Sequence, residues 1–318
     1  MFRVTAERLA PLIPLERVWV VTNAAMAEIF REQVPGIPAE QYVIEPEPRD
    51  SGPAAALGLA HIHAADPDAT VAILSADHHI VDVEGFRGVV ALAAAHAEQG
   101  GIVTLGIRPT HASTGFGYIE RGERVGDGIY EVVRFTEKPQ QDVARAYLAG
   151  GRHSWNSGMF IMKSATGLGE FARQHAAFAT ELNALMKQIG HAGYADALRE
   201  MWGRAPKLSI DYAIMEGAEE MAVIPVDIGW SDIGSWTALF EALGHDASEN
   251  AVQGEHVAVD TRRSLVRGES GRLIATIGVE GLIVVDTPDA LLICSLERAQ
   301  DVKQIVDELK RRSRTDLV

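Results

Sequence analysis

Cysteine is almost missing from this chain: Cys294 is the only one in 318 residues, which rules out an internal disulfide and any thiolate-rich metal centre. It sits in the run ALLIC at 290–294 and is expected as a small buried hydrophobe. Basic residues are also scarce, with 29 Lys and Arg against 44 Asp and Glu and a formal charge of −15. Such a surface repels nucleic acid and anionic membranes, so neither is an expected partner, and an anionic substrate would need a local basic site. No apolar run approaches the roughly 20 residues that cross a bilayer. The opening MFRVTAERL has no apolar core of a secretory leader, so the expected location is cytoplasmic. Aromatic residues make up only 6% of the chain, so two tryptophans bracketing a single acid in GWSDIGSW at 229–236 stand out.

What is present is the composition of a globular protein, 47% hydrophobic and 23% charged. Through the first two-thirds, short apolar runs alternate with helical periodicity, which predicts an α/β fold with a largely parallel sheet. Residues 18–22, 71–74 and 101–106 read as strands. Asp50, Ser51 and Pro53 read as the start of a helix reaching Ala64. Further helices are expected over 139–148 and 168–189, and one starts at a Ser209 cap and carries Glu216. Beyond Gly244 the pattern becomes a series of short apolar runs separated by turn residues, ending in a helix over 296–311. A polar linker at 245–250 divides the chain into an α/β domain, 1–245, and a β-rich domain, 246–318.

Several runs carry chemistry. In SADHH at 75–79, Asp77 stands where a strand emerges into a loop, the place where open α/β sheets collect ligands. Asp232 is a second loop acid, between glycines and tryptophans. An isolated Asp-His pair would be read first as a turn cap, but two such carboxylates suit a hard divalent cation shared with phosphate oxygens. Lys138, in FTEKP at 135–139, stands at a strand-to-helix junction where a point charge can meet a phosphate; the alternative is a solvated Glu137–Lys138 pair. Asn156, in WNSGMF at 155–160, can donate and accept together, which fits sugar hydroxyls, or can belong to an ordinary turn. The glycines of TGFGYI at 114–119 allow close approach of a polyhydroxylated ligand.

Taken in order, EPEPRDSGPA (45–54), SADH (75–78), GIRPT (106–110), TGFGYI (114–119), FTEKP (135–139), WNSGMF (155–160), SIDYA (209–213) and GWSDIGSW (229–236) resemble the sugar-1-phosphate nucleotidylyltransferases. The likeness is greatest to the branch that joins GMP to mannose 1-phosphate. The resemblance implies a Rossmann-like nucleotidyltransferase domain followed by a left-handed β-helix-like domain that supports a homodimer. It implies GTP and mannose 1-phosphate as substrates, GDP-mannose and pyrophosphate as products, and Mg²⁺ as cofactor. On the matching positions it places Asp77 and Asp232 at the metal and Lys138 at the sugar phosphate. Gly117, Tyr118, Glu137, Asn156 and Asp211 fall around the sugar, and Arg49, Ser51 and Pro53 lie against the base, where Asp50-Ser51 replaces the usual Asn-Thr.

The family's Gly-Gly-x-Gly-Thr-Arg-Leu-x-Pro loop does not occur in these residues. Little turnover is therefore expected of the 318 residues by themselves. Either the sequence starts late or the chain is a homologue that binds sugar nucleotide without catalysis. Other hexose 1-phosphates, or an interaction role for the β-rich tail, remain as alternative readings.

Overall fold

A computed structural model describes residues 1–317 of the chain. It divides into two compact units, Met1–Trp230 and the remainder from Ser231. The first begins with α1 (Phe2–Glu7), β1 (Val20–Thr22), α2 (Ala24–Gln33), β2 (Tyr42–Ile44), α3 (Ser51–Ala65), β3 (Thr70–Ile73) and α4 (Val83–Ala97). It continues through β4 (Ile102–Ile107), β5 (Tyr118–Gly126), β6 (Ile129–Thr136), α5 (Gln141–Gly150) and β7 (His153–Lys163). The unit closes with α6 (Ser164–Gln174), α7 (Ala176–Met186), α8 (Tyr194–Trp202), α9 (Ile210–Ala213) and β8 (Met221–Val226).

Six strands pair in the order β3-β7-β4-β8-β6-β5, with β5 also meeting β7, while β1 and β2 form a separate parallel pair. β4 and β8 are parallel, and β3 shares their direction because both β3 and β4 flank the antiparallel β7. Every residue of β4 is buried, as expected of a central strand covered on both faces. One face packs on α4, through Phe86, Val90 and Ala93. The other packs on α3 and α6 to α8, through Leu57, Ala60, Phe171, Leu182 and Trp202.

Helix starts follow local chemistry. Asn23 accepts from the Met26 N–H at 2.9 Å and Asp82 from the Gly85 N–H at 2.8 Å, the ordinary way to satisfy an orphan donor. α5 stops at Gly151, which takes the left-handed conformation at φ 66°. Three expectations need correction. The helix expected over 168–189 is two helices, because His175 leaves helical geometry at φ −134° and ψ 56°. The helix expected to carry Glu216 ends at Ala213, and Glu216 lies in a 3₁₀ turn. Ser209 makes no capping bond there; the Ser51 hydroxyl, from a distant part of the chain, accepts the Ile210 N–H at 2.9 Å.

The second unit contains α10 (Trp236–Ala242), β9 (Ala251–Gln253), β10 (His256–Val259), β11 (Leu265–Gly268) and β12 (Ile274–Ile277). β13 (Leu282–Asp286), β14 (Leu291–Ser295) and α11 (Val302–Arg311) follow, with residues 296–301 in a 3₁₀ helix before α11. β9, β11 and β13 stack in parallel and β10 stacks on β12, so successive turns of chain lie over one another as in a β-helix. β14 closes that stack antiparallel to β13. Its core holds Phe240, Ala251, Leu265, Ile283 and Leu296.

Candidate functional site

Strand register assembles the site of the first unit. Ile107 of β4 pairs with Trp155 of β7, Trp155 with Tyr118 of β5, and Tyr118 with Thr136 of β6. Gly117, Glu137 and Asn156, far apart in sequence, each lie one residue from that row. The main chain locks them further, since the Asn156 N–H donates to the Gly117 carbonyl at 2.8 Å. Between Asn156 and Phe160, β7 carries extra residues relative to β4, a bulge of the kind that re-aims side chains beside functional sites. Side chains satisfy it: Asn156 Oδ1 accepts from Gly158 N–H at 3.0 Å, and Ser157 Oγ from Met159 N–H at 3.2 Å.

Gly117 is fixed by space. A Cβ there would lie 2.5 Å from Glu137 Oε2 and 3.0 Å from the Phe135 ring. The Glu137 carboxylate, largely buried, receives Lys138 Nζ at 2.6 Å on its other oxygen. That bond, more than the opposing burial, holds the Lys138 ammonium above its usual range, so it stays cationic. Lys138 has φ 43°, a left-handed conformation that costs a non-glycine residue about 1–3 kcal/mol and tends to persist at functional sites.

Asp211, from α9, accepts from Asn156 Nδ2 at 2.7 Å. Burial first, and then the neighbouring Glu137 charge, push its carboxyl above the ordinary range against the hydrogen bonds it receives. Glu216 is raised by the same causes, burial first and then Glu137 and Asp211. Around these groups is a pocket of about 490 Å³ lined by Asp50, Ser51, Glu137, Lys138, Lys207 and Asp211, with Ser209, Leu208 and Tyr212. Two cations and several acids with hydrogen-bonding partners can hold a small molecule that carries both hydroxyls and a phosphate.

Other expected residues have different surroundings. Pro53 is buried in the first turn of α3 and lines no part of that pocket. Arg49 is tied to Glu47 and to the carbonyls of Ala205 and Gly203 at 3.3 and 3.2 Å, so it braces the end of α8. Tyr118, expected at the sugar, is instead a core residue: it is fully buried, and its hydroxyl donates to the Ser113 carbonyl at 3.0 Å. The reason is strand alternation, because Gly117 faces the site and its neighbour must then face away.

Asp77 is exposed on the loop after β3. That loop adjoins the β7 bulge, where a Cβ on Gly158 would lie 3.9 Å from the His78 ring. Trp230 Nε1 donates to His78 Nδ1 at 3.2 Å, and the Val81 and Asp82 amides donate to the Ile228 carbonyl at 3.1 Å. Asp232 belongs to the second unit. Its Oδ1 accepts from the Gly234 N–H at 3.1 Å inside a turn whose Ile233 has φ 48°. Among the described residues, Asp232 Oδ2 has no partner and no group of three or more metal-binding side chains occurs. Sequence reasoning missed Lys207, Tyr212 and Glu216 as members of the Asp211 neighbourhood; Lys207 is two residues before SIDYA, the one signal that could have found it.

An α/β sheet gathering a phosphate-suited pocket, in a chain that continues into a β-helix, has the architecture of a nucleotide-transferring enzyme. The family model for nucleotidyl transferase matches residues 1–249, and that for the MannoseP isomerase/GMP-like beta-helix domain matches 254–309. The chain belongs to the nucleotidyl transferase family, in the group of mannose-1-phosphate guanylyltransferases. The enzyme of that name from Salmonella typhimurium is 38% identical over 99% of this chain, and that of Escherichia coli K12 is 38% identical over 86%. The chain spans 67% and 59% of the length of these two relatives.

Among solved structures, a Thermus thermophilus protein named mannose-1-phosphate geranyltransferase superposes with a TM-score of 0.82 at 35% identity, covering 96% of this chain and 88% of that one. A mannose-6-phosphate isomerase from Helicobacter pylori, at 20% identity and a TM-score of 0.60, shares the fold, covering 72% of this chain and 89% of its own. No described helix is long and apolar enough to cross a membrane.

Proposed function

We propose that the chain carries the site where mannose 1-phosphate attacks the α-phosphorus of GTP, giving GDP-mannose and pyrophosphate. The observation that carries this reading is the pocket of the first unit, where the Glu137–Lys138 pair, Lys207 and Asp211, itself bonded by Asn156, stand together. Asn156, Asp211 and Glu137 supply donors and acceptors for ring hydroxyls, and Lys138 and Lys207 supply charge for the phosphate. The nucleophile is already a phosphate oxygen, so no strong general base is required, and rate comes from alignment and charge neutralisation. Ser51 at the pocket rim and the segment around Arg49 and Pro53 are assigned to the nucleotide base.

In the first unit Asp77 is assigned as a Mg²⁺ ligand, its exposed carboxylate being a hard oxygen donor of the type that cation takes together with substrate phosphate oxygens; in the second unit Asp232 offers an oxygen donor of the same type in its free Oδ2. When bound, Mg²⁺ supplies charge neutralisation at the phosphates. The functional modules are taken as 1–245 and 246–318. Two copies of the chain are assigned to meet through the outward apolar face of β10 and β12, where Val257, Val259 and Ile277 are 52%, 49% and 73% exposed.

Ligand-dependent stabilisation tests the reading. GDP-mannose with Mg²⁺ at about 100 times its Kd adds roughly 2.7 kcal/mol to unfolding, and UDP-glucose at the same concentration adds far less. Absence of any shift at millimolar GDP-mannose overturns the proposal. Pyrophosphate release with GTP and mannose 1-phosphate separates a catalyst from a protein that only binds sugar nucleotide.

A further inference from the structure

Besides Trp230, α1 and the residue just beyond it hold the loop that bears Asp77. Thr5 Oγ1 donates to the Ala76 carbonyl at 3.0 Å, and Arg8 Nη2 donates to the His78 carbonyl at 2.6 Å. The same Nη2 donates to Thr5 Oγ1 at 2.8 Å, which couples the two contacts. The carbonyls one residue before and one residue after Asp77 are therefore both fixed, while the carboxylate itself is left exposed.

Arg8 is unusual in its own right. It is 6% exposed, and among the described residues its acceptors are all uncharged oxygens: Val4 O, Thr5 Oγ1 and His78 O. A buried guanidinium without a carboxylate partner is costly, and a single buried methionine would fill similar space without that cost. Its backbone is anchored as well, since Arg87 Nε donates to the Arg8 carbonyl at 2.6 Å and Arg87 pairs with Glu84 on α4. The contacts thus run from α4 through Arg8 to the two carbonyls around Asp77.

We propose that Arg8 and Thr5 are positioning residues that set the direction of the Asp77 carboxylate toward a divalent cation. This rests on the assignment of Asp77 to the metal made above. Groups that orient a metal ligand rather than touch the metal are worth about 10–100-fold in metal affinity.

The test uses the whole chain with Mn²⁺ as the probe, in the presence of GDP-mannose, with affinity read by electron paramagnetic resonance and loop order read by amide hydrogen exchange. Thr5→Val and Arg8→Met are expected to weaken Mn²⁺ binding about 10–100-fold and to speed exchange in residues 75–82, leaving β4 and α3 unchanged. Thr5→Ser restores both readings. Asp77→Asn is the reference. If Asp77→Asn weakens Mn²⁺ binding while Thr5→Val and Arg8→Met change neither affinity nor exchange, the positioning role is wrong and the metal assignment stands. If Asp77→Asn leaves Mn²⁺ affinity unchanged, the metal assignment and the proposal both fall. Should Arg8→Met fail to fold, Thr5→Val with its Thr5→Ser rescue decides alone.

Discussion

Gly117→Ala is the most direct test of how the site is built. The new Cβ would lie 2.5 Å from Glu137 Oε2, 3.0 Å from Phe135 Cζ and 3.4 Å from Asn156 Cβ. The first contact cannot stand, so the Glu137 carboxylate must swing away. The second requires the Phe135 ring to give by a few tenths of an ångström. Glu137 is the flexible end of a side chain, but it is tethered: moving it gives up the 2.6 Å bond from Lys138 Nζ. Lys138 is 63% exposed, so that bond is worth at most about 1 kcal/mol. Adding the overpacking strain of a filled site, the substitution should cost about 1–3 kcal/mol, or about 2–4 °C in Tm for each kcal/mol. Mannose 1-phosphate affinity should fall by about tenfold or more, since a displaced carboxylate costs at least one charge-assisted hydrogen bond. The same substitution in a Glu137→Ala background isolates the cause, because the offending oxygen is then gone. The measurement is thermal unfolding of all four proteins. An alanine cost in the Glu137→Ala background equal to that in the parent would refute the reasoning; a cost below half, left by the Phe135 contact, supports it.

Asp211 titrates above its ordinary value of 3.8 because burial and Glu137 disfavour its charge, so the stability it contributes is present at low pH and lost as pH rises through the folded value. Asp211→Asn keeps an acceptor for Asn156 and should raise Tm at pH 8 more than at pH 4, while weakening sugar-phosphate binding; a gain that is flat with pH would count against the assignment. His61, bonded to the Tyr194 hydroxyl at 2.5 Å, is pushed down from 6.5 to about 4 by burial. Folding holds it neutral, so stability should be lost as pH falls from 6.5 toward 4, by on the order of 3 kcal/mol at most. His61→Gln should flatten that part of the Tm–pH profile. Ser51→Ala removes the acceptor for the Ile210 N–H and should cost about 1 kcal/mol, with faster exchange confined to α9. Ile277→Glu, on the outward face of β12, should convert a dimer to a monomer by light scattering if two copies meet there; an unchanged mass removes that assignment.

The chain's periodicity was enough for the class of fold. Residues 102–107 are apolar almost throughout and form the buried centre of the sheet, because a strand covered on both faces has no polar side to show. The run of short apolar segments after Gly244 likewise became the stacked strands of the second unit. Local chemistry also placed Asp77 and Lys138 on loops at strand ends, since Gly, Pro, Asp and Ser punctuate strands wherever they occur. Two features needed the folded chain. Tyr118 looked like a site residue and is a core residue, because only the register with Trp155 and Thr136 decides which face of β5 is inward. Ser51 caps α9 across a separation of 159 residues, and no local pattern reports a partner at that distance.

What the sequence determined alone was the order of its elements, the acidic surface, and the residues with the chemistry to hold a sugar phosphate. The tertiary structure decided which of them meet. Gly117, Glu137, Asn156 and Asp211 converge because three strands share a level in the sheet and a short helix is tied to one of them through the Asn156–Asp211 bond. The raised Asp211 carboxyl and the bonded Lys138 follow from that convergence, and the bracing of the Asp77 loop by Thr5 and Arg8 comes from a separate meeting of distant segments. The physical reason is that hydrogen bonding, burial and Coulomb coupling act across a few ångströms of space, a proximity that sequence separation does not encode.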